Sequence, residues 1–532
     1  MILKKPDQAK QLVRQLILVI ILASLFGCNL PSADVTAPTA TAISARQTLF
    51  ALTYPSPTPG FQSVVATPTP WISQQPLVTL PATLPPSTPT PVLAVPAGIV
   101  VYYAQSGDTL KSVAARFRVS TGEINSPEAI PAPESLLPIG LALFIPTPTF
   151  IAPYQLPALP DSEIVFGPGS GRVDVNAIVQ QANGYLARYQ ESLWDRRYTG
   201  AEIVDLVARE TSTNPRLLLA LIEYRSGWLF GQPLGEDGEL YPIGFKAEKV
   251  TGLYAELFIV ARLLAEGYYG WSDGSLKVLT FKDGSIAEIA PALNPGSVAL
   301  QNLFASLYEQ KDFHHALYGP GGFLALEQQL FGDPFARAAL VGPLLTPAVS
   351  PPTLTLPFLP GLRWALTSGP HLTWQPGTPR GSLDFAPRVE GQRGCMTSSA
   401  WATSPVRGLV TRSARGAVAI DLDGDGDEST GWVIIFMHMA SQERVRVGAW
   451  VKVDDPIGHP SCEGGYATGL HLHITRKYNG VWIGAEGPLP LILDGWQAFA
   501  SPSAYAGYLV RDGVTVYSNT ADKEYSHIYR DN

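Results

Sequence analysis

The sequence predicts a multidomain fold: a small βααβ module, a mostly α-helical domain and a C-terminal all-β antiparallel domain. Three observations predict it. The chain has 532 residues, several times an ordinary domain. Helical apolar spacing runs through residues 165–346, after a short strand-forming segment near residue 100. From about Thr355 the composition changes to Gly-punctuated, strand-forming sequence. Pro (48) and Gly (49) are both abundant, so linker accompanies the packed parts. Charged residues make up only 15%, which excludes a coiled coil and charge-driven disorder. A net charge of −8 argues against nucleic acid as a partner.

The N-terminal residues have the pattern of an export signal. Lys4, Lys5, Lys10 and Arg14 precede an apolar run over 16–26. That run is shorter than the roughly 20 residues of a membrane-spanning helix, and it fits a signal-peptide core. It ends in Leu25-Phe26-Gly27-Cys28, which resembles the bacterial lipobox. The resemblance implies a signal peptide over 1–27, lipidation of Cys28 and an extracytoplasmic protein anchored to the cell membrane. Two acyl chains give stable anchoring where one does not. Residues 28–97 are rich in Pro and Thr and cannot bury enough apolar surface to offset chain entropy. As an extended Pro-rich stem they would reach about 200 Å at most.

Order is expected from Gly98. Residues 100–103 are strand-forming, and Thr109 or Asp108 can cap a helix with Leu110, Val113, Ala114 and Phe117 on its apolar face. A second strand is expected over 141–145. The Gln105-Ser106-Gly107-Asp108-Thr109-Leu110 segment and the closing Leu143-Phe144-Ile145-Pro146 resemble a LysM module, which would span 98–148. The resemblance implies strand, two short helices and strand. It also implies binding of N-acetylglucosamine-containing glycan, with Gly107, Asp108 and Thr109 at the contact.

Helices are expected over 175–193, 201–210, 216–225 and 253–264. Pro215 sits at the first turn of the third, where Pro is favoured. The stretch from Asn214 to Trp228 resembles the lytic transglycosylase and goose-type lysozyme motif. The family's catalytic Glu corresponds to Arg225, and a guanidinium stays charged and cannot donate usefully. Residues 165–346 are therefore expected to be lysozyme-like in fold and inactive on glycan. Arg225 and Trp228 are the expected sugar contacts, and Glu202 or Glu210 the fallback acids.

The β-rich part carries the chemistry. In Gly469-Leu470-His471-Leu472-His473-Ile474 the two His lie two apart, so a strand projects them to one side and the Leu and Ile residues to the other. His438 follows another apolar strand, 432–436. His371 lies 13 residues before Asp384. The four His and the Asp together resemble the M23 zinc peptidases of the lysostaphin and LytM kind. Familiar members have a His four residues before the Asp, and here Arg380 stands there. The distant His371, with Cys462-Glu463-Gly464-Gly465 and Tyr478-Asn479-Gly480, resembles the β-lytic branch instead.

That resemblance implies a peptidase domain over 355–520, followed by a tail over 521–532. It implies Zn²⁺ held by His371, Asp384 and His473, with an open fourth position for water. His471 would be the general base and His438 would stabilise the oxyanion or protonate the leaving amine, and these two roles are interchangeable at this stage. His314, His315, His459 and His527 lack this context and are expected to be structural or superficial. Cys395 and Cys462 are the Cys residues that remain after Cys28, and an exported chain favours a disulfide between them. The acidic run Asp421 to Glu428 has calcium-like spacing but lacks the loop's twelfth-position Glu, where Trp432 stands; a solvated hairpin is the preferred reading. The implied function is a membrane-anchored zinc endopeptidase that cuts peptidoglycan peptides, with a LysM module holding the glycan. The alternative is a wall-binding scaffold or amidase activator with a degenerate peptidase domain.

Overall fold

The computed structural model describes residues 97–194, 196–246, 250–388, 394–521 and 523–531. The signal segment, Cys28 and the Pro/Thr-rich stem lie outside the described residues. No described helix is long and apolar enough to cross a membrane.

The first unit pairs β1 (Ile99–Tyr103) antiparallel with β2 (Ala142–Pro146) and packs α1 (Leu110–Phe117) against them. Thr109 caps α1, accepting from Ser112 N at 3.1 Å while its own N–H donates to Ser112 Oγ. Tyr102, Val113, Phe117, Leu143 and Ile145 form its core. The expected second helix is only a 3-10 turn, Thr121–Glu123. Pro127, Pro131, Pro133 and Pro138 follow it, and each removes a backbone donor that a helix would use.

The helical region contains α2 (Val175–Ala182), α3 (Gly200–Thr211), α4 (Pro215–Ser226), α5 (Gly235–Leu240), α6 (Leu253–Ser272), α7 (Pro295–Leu307), α8 (Gln310–Tyr318), α9 (Phe323–Phe331) and α10 (Pro334–Val341). Two hairpins interrupt them: β3 (Gln190–Leu193) with β4 (Arg196–Thr199), and β5 (Val278–Thr280) with β6 (Ile286–Glu288). Asn214 caps α4 by accepting from Arg216 N at 3.0 Å, with Pro215 in the first turn. The helix expected over 175–193 stops at Ala182. Asn183 takes the left-handed conformation (φ 53°) and Gly184 follows, a C-terminal stop signal. The chain then runs into β3.

The C-terminal region is built on antiparallel strands: β7 (Arg363–Leu372), β8 (Arg380–Pro387), β9 (Ala402–Thr403), β10 (Gly408–Ala414), β11 (Ala417–Asp421), β12 (Trp432–Met437), β13 (Trp450–Val451), β14 (Pro456–Gly458), β15 (Leu472–Tyr478) and β16 (Val481–Trp482). β17 (Ile492–Leu493), β18 (Trp496–Ala500), β19 (Gly507–Arg511) and β20 (Val514–Tyr517) form a separate sheet, and β21 (His527–Tyr529) follows. The main sheet has the order β13-β10-β11-β12-β15-β8-β7-β21, with β16 on β15. The described residues of the expected tail, 521 and 523–531, are thus part of the fold. His527 to Tyr529 pair with β7, and Arg530 is buried, donating to Phe358 O at 3.1 Å and ion-paired with Asp454.

One sheet face, with Leu472, Ile474, Ile434 and Phe436, looks into the domain core. The opposite face, with Val433, Ile435 and Trp482, meets the helical region. Trp482 donates from its backbone to Tyr269 Oη at 3.0 Å and from Nε1 to Thr211 O at 3.3 Å. Glu210 forms a 2.9 Å ion pair with Arg415, whose guanidinium also stacks on Trp194 at the tip of the β3–β4 hairpin. His473 belongs to this second face, so the helical region packs on the side of the sheet that carries the chemistry.

Candidate metal centre

The sheet register assembles the site. β15 lies between β12 and β8, which sets His473 opposite Asp384 on one side and opposite Met437 on the other. β7 flanks β8 beyond. Its pairing is regular from Trp364 to Leu366, then slips between Leu366 and Ser368 and again between Ser368 and His371. Such bulges re-aim side chains, and here they bring the His371 ring over Asp384 despite the 13-residue separation.

Three atoms converge. His371 Nε2 is 3.1 Å from His473 Nδ1 and 3.3 Å from Asp384 Oδ1, and His473 Nδ1 is 3.2 Å from the same oxygen. All three residues are buried. A tetrahedral zinc with bonds of about 2.0–2.1 Å needs ligand atoms about 3.3 Å apart, so this triangle fits one face of the coordination polyhedron. The remaining ring nitrogens face backbone carbonyls. His371 Nδ1 is 2.9 Å from Gly369 O, and His473 Nε2 is 3.3 Å from Thr373 O. Each N–H donates outward and leaves a lone pair facing the centre, the usual support of a metal-bound His.

Electrostatics agree. Burial opposes charge on Asp384, yet His371 and His473 outweigh it and hold the carboxyl well below its ordinary range. Burial likewise opposes protonation of His371, but Asp384 wins and raises it. His473 is lowered, chiefly by burial.

A second pair of rings adjoins the first set. His471 Nε2 is 3.8 Å from Asp384 Oδ2, and the His438 and His471 ring centroids are 4.3 Å apart. His471 Nδ1 is 2.8 Å from Gly469 O and His438 Nδ1 is 3.0 Å from Glu463 O, so each ring has a backbone acceptor for an Nδ1–H. Burial, then the neighbouring His471 and His473 rings, push His438 down to about 3. His438 has φ +62°, and its carbonyl accepts from Ser461 N and Oγ at 2.7 and 2.9 Å. All five residues singled out in the sequence therefore meet in one place.

Arg380, at the position of the missing His, is scaffold. It donates to Pro370 O at 3.0 Å, Ser501 O at 2.8 Å and Ser503 O at 3.1 Å. This ties the 501–506 loop to the strand that bears His371. Tyr505 in that loop lies 5.0 Å from the His371 ring, ring to ring, and no pattern in the sequence marked it. The Cys395–Cys462 disulfide is formed and braces the loop before His471.

Other expected residues have structural tasks. Asp108 is buried, ion-paired with Arg116 and accepting from Tyr102 Oη at 2.6 Å; Thr109 caps α1; Gly107 occupies φ +82° against Leu345. The Asp108 side chain is thus unavailable to a sugar. The neighbouring Ser106 bonds Leu345 O and N at 3.0 and 2.9 Å, which seats this loop on the helical region. Trp228 is fully buried against Tyr185 and Tyr189, a correction to its expected sugar contact. Arg225 donates to Ile243 O at 2.7 Å and Glu202 caps α3. In the acidic hairpin, Asp421, Asp423 and Asp425 lie close enough to share a cation, but Asp421 already accepts from Gly426 N at 2.9 Å and Asp425 from Asp427 N at 2.8 Å.

Comparison with known proteins adds the following. Residues 157–343 match the family described as LasA, N-terminal domain. The chain is 27% identical to Protease LasA of two Pseudomonas aeruginosa strains, over 420 and 419 residues, covering 73% of this chain and 86% of each relative. Among solved structures, the deep-sea M23 metalloprotease pseudoalterin is similar with a TM-score of 0.28 and 23% identity, covering 34% of this chain and 98% of that chain. The similarity to Protease LasA, over 86% of each relative, supports a peptidase.

Proposed function

We propose that the chain is a zinc endopeptidase that cleaves peptide bonds of peptidoglycan. The observation that carries this reading is the 3.1–3.3 Å triangle of His371, His473 and Asp384, with two further His rings beside it. His371 Nε2, His473 Nδ1 and Asp384 Oδ1 would hold the ion. Bound zinc supplies a Lewis acid and lowers the pKa of a coordinated water toward 7.

The chain's own residues divide the remaining work. Gly369 O and Thr373 O fix the tautomers of the two His ligands. His471, closer to Asp384, takes the nucleophile's proton at Nε2. That proton then goes to the leaving amine, directly or by way of His438 Nε2, whose ring lies 4.3 Å from that of His471. Burial of the cluster keeps bulk water from competing for these bonds. Cys28 as a lipid anchor would keep the enzyme outside the cytoplasmic membrane, and the 98–148 module would retain it on glycan.

A scaffold without catalysis has no use for five convergent residues, and the intact set favours the enzyme. The test is release of soluble peptide fragments and new amino termini from purified peptidoglycan by the full chain. Cleavage is expected with zinc and lost on chelation. A zinc-loaded, folded protein that binds peptidoglycan and releases nothing would establish the scaffold.

A further inference from the structure

Three aromatic rings stand in a row on one face of the small sheet β17–β20. The register sets Phe499 opposite Tyr508 and Tyr508 opposite Tyr517. Their ring centroids are 5.4 and 5.6 Å apart. The alternate residues Ala498, Leu509 and Val516 enter the domain core, so the row lies on the outer face, where Tyr517 is 52% exposed. The other outer positions of these strands are Gln497, Val510 and Thr515. These outward positions therefore combine aromatic surface with a neutral amide and hydroxyls, with Glu486 at the backbone of Ala500 beside them.

The row adjoins the loop that reaches the metal centre. It stands at the end of the sheet where the 501–506 loop joins β18 to β19. That loop carries Tyr505 against His371, is held by Arg380, and accepts from Gly369 N through Tyr505 O at 2.8 Å.

The surface chemistry selects the partner. An aromatic ring has an electron-rich face, and the polarised C–H groups on one side of a pyranose ring pack against it. Neutral side groups suit hydroxyls and acetamides. A nucleic acid would need cations along its path, and no outward position of β18, β19 or β20 is a cation. We propose that Phe499, Tyr508 and Tyr517 form a platform for the sugar rings of a neutral, N-acetylated glycan strand, holding it while its peptide branch enters the metal centre. This rests on the peptidoglycan reading above and names the part of that substrate that the face takes.

Cross-strand aromatic pairs also stabilise sheets, so the test uses Leu, which keeps apolar contact and removes the ring. Hydrogen exchange of the full chain is followed with and without a hexamer of N-acetylglucosamine, in wild type and in Tyr508→Leu/Tyr517→Leu. Slower exchange over residues 496–517 is expected in wild type, and its loss in the variant. The variant should also bind intact peptidoglycan about tenfold more weakly and still cleave a sugar-free peptide at the wild-type rate. The single Tyr517→Leu, at an exposed strand end, gives the same reading if the double variant folds poorly. Unchanged exchange over 496–517 on adding the hexamer would overturn the proposal. So would a variant whose sedimentation changes while its sugar protection does not, since that assigns the face to self-association. Protection by the hexamer in a protein that cleaves no peptide would sink the peptidase reading and leave the platform standing.

Discussion

Arg380 donates from Nε to the carbonyl of Pro370 at 3.0 Å, one residue before His371. Its other nitrogens reach Ser501 O and Ser503 O. A charged donor thus fixes both the backbone that aims a ligand and the loop that covers it. Arg380→Ala should keep the metal-binding residues but loosen their support. Bonds to charged donors are worth about 1.5–3 kcal/mol each in favourable settings, and this partly exposed clamp should contribute about 2 kcal/mol in all. Chemical denaturation measures it. Loss of metal in Arg380→Ala with unchanged stability would contradict a scaffold role.

The three-atom triangle predicts about one zinc per chain, removed by His371→Ala or Asp384→Ala. Metal content after dialysis is the measurement. If His371→Ala keeps stoichiometric zinc and full turnover, the ligand on β7 is some other residue.

His438 lies outside the triangle, so His438→Ala should retain zinc while turnover falls about 10²–10³-fold, as when one proton-transfer group is removed. Single-turnover cleavage of a peptidoglycan peptide separates this from weaker binding. Wild-type rates in the variant would remove His438 from the mechanism.

The parts legible in the sequence were those with a local pattern. His471 and His473 were visible because a strand repeats every two residues, and Asn214-Pro215 because a cap and a first-turn Pro are short-range signals. The helix stop at Asn183-Gly184 was also local, but apolar spacing beyond it masked it. Long-range pairing left no such trace. β21 is three residues long and joins β7 across most of the C-terminal region, so nothing near His527 announces a strand. Arg380 read as a missing ligand because its partners in the 501–506 loop lie over a hundred residues away. The burial of Asp108 and Trp228 likewise depends on Arg116, Tyr185 and Tyr189, which no spacing rule connects to them.

The last prediction concerns pH and a buried cluster remote from the site. Arg337 pairs with both Glu163 and Glu327, and all three are buried. One guanidinium cannot neutralise two carboxylates. Burial raises Glu327 most, Arg337 opposes this, and Glu163 adds to it, which pushes the group up to about 7. In the unfolded chain its value returns to about 4.3. Between these limits the folded state holds a proton that the unfolded state has released. Stability then falls as pH rises. The contribution is fully present below about 4.3 and is lost as pH passes through about 7. A shift of this size corresponds to something on the order of 3 kcal/mol. Glu327→Gln keeps the shape and leaves Arg337 paired with Glu163, so its stability should not carry this slope. The difference in melting temperature, variant minus wild type, should therefore grow in the variant's favour from pH 5 to pH 8. Taking the difference cancels other groups that titrate in the range, such as Asp161, which burial pushes up to about 6. A difference that is flat across this range, or that shrinks with rising pH, would show that Glu327 is ionised in the folded protein throughout.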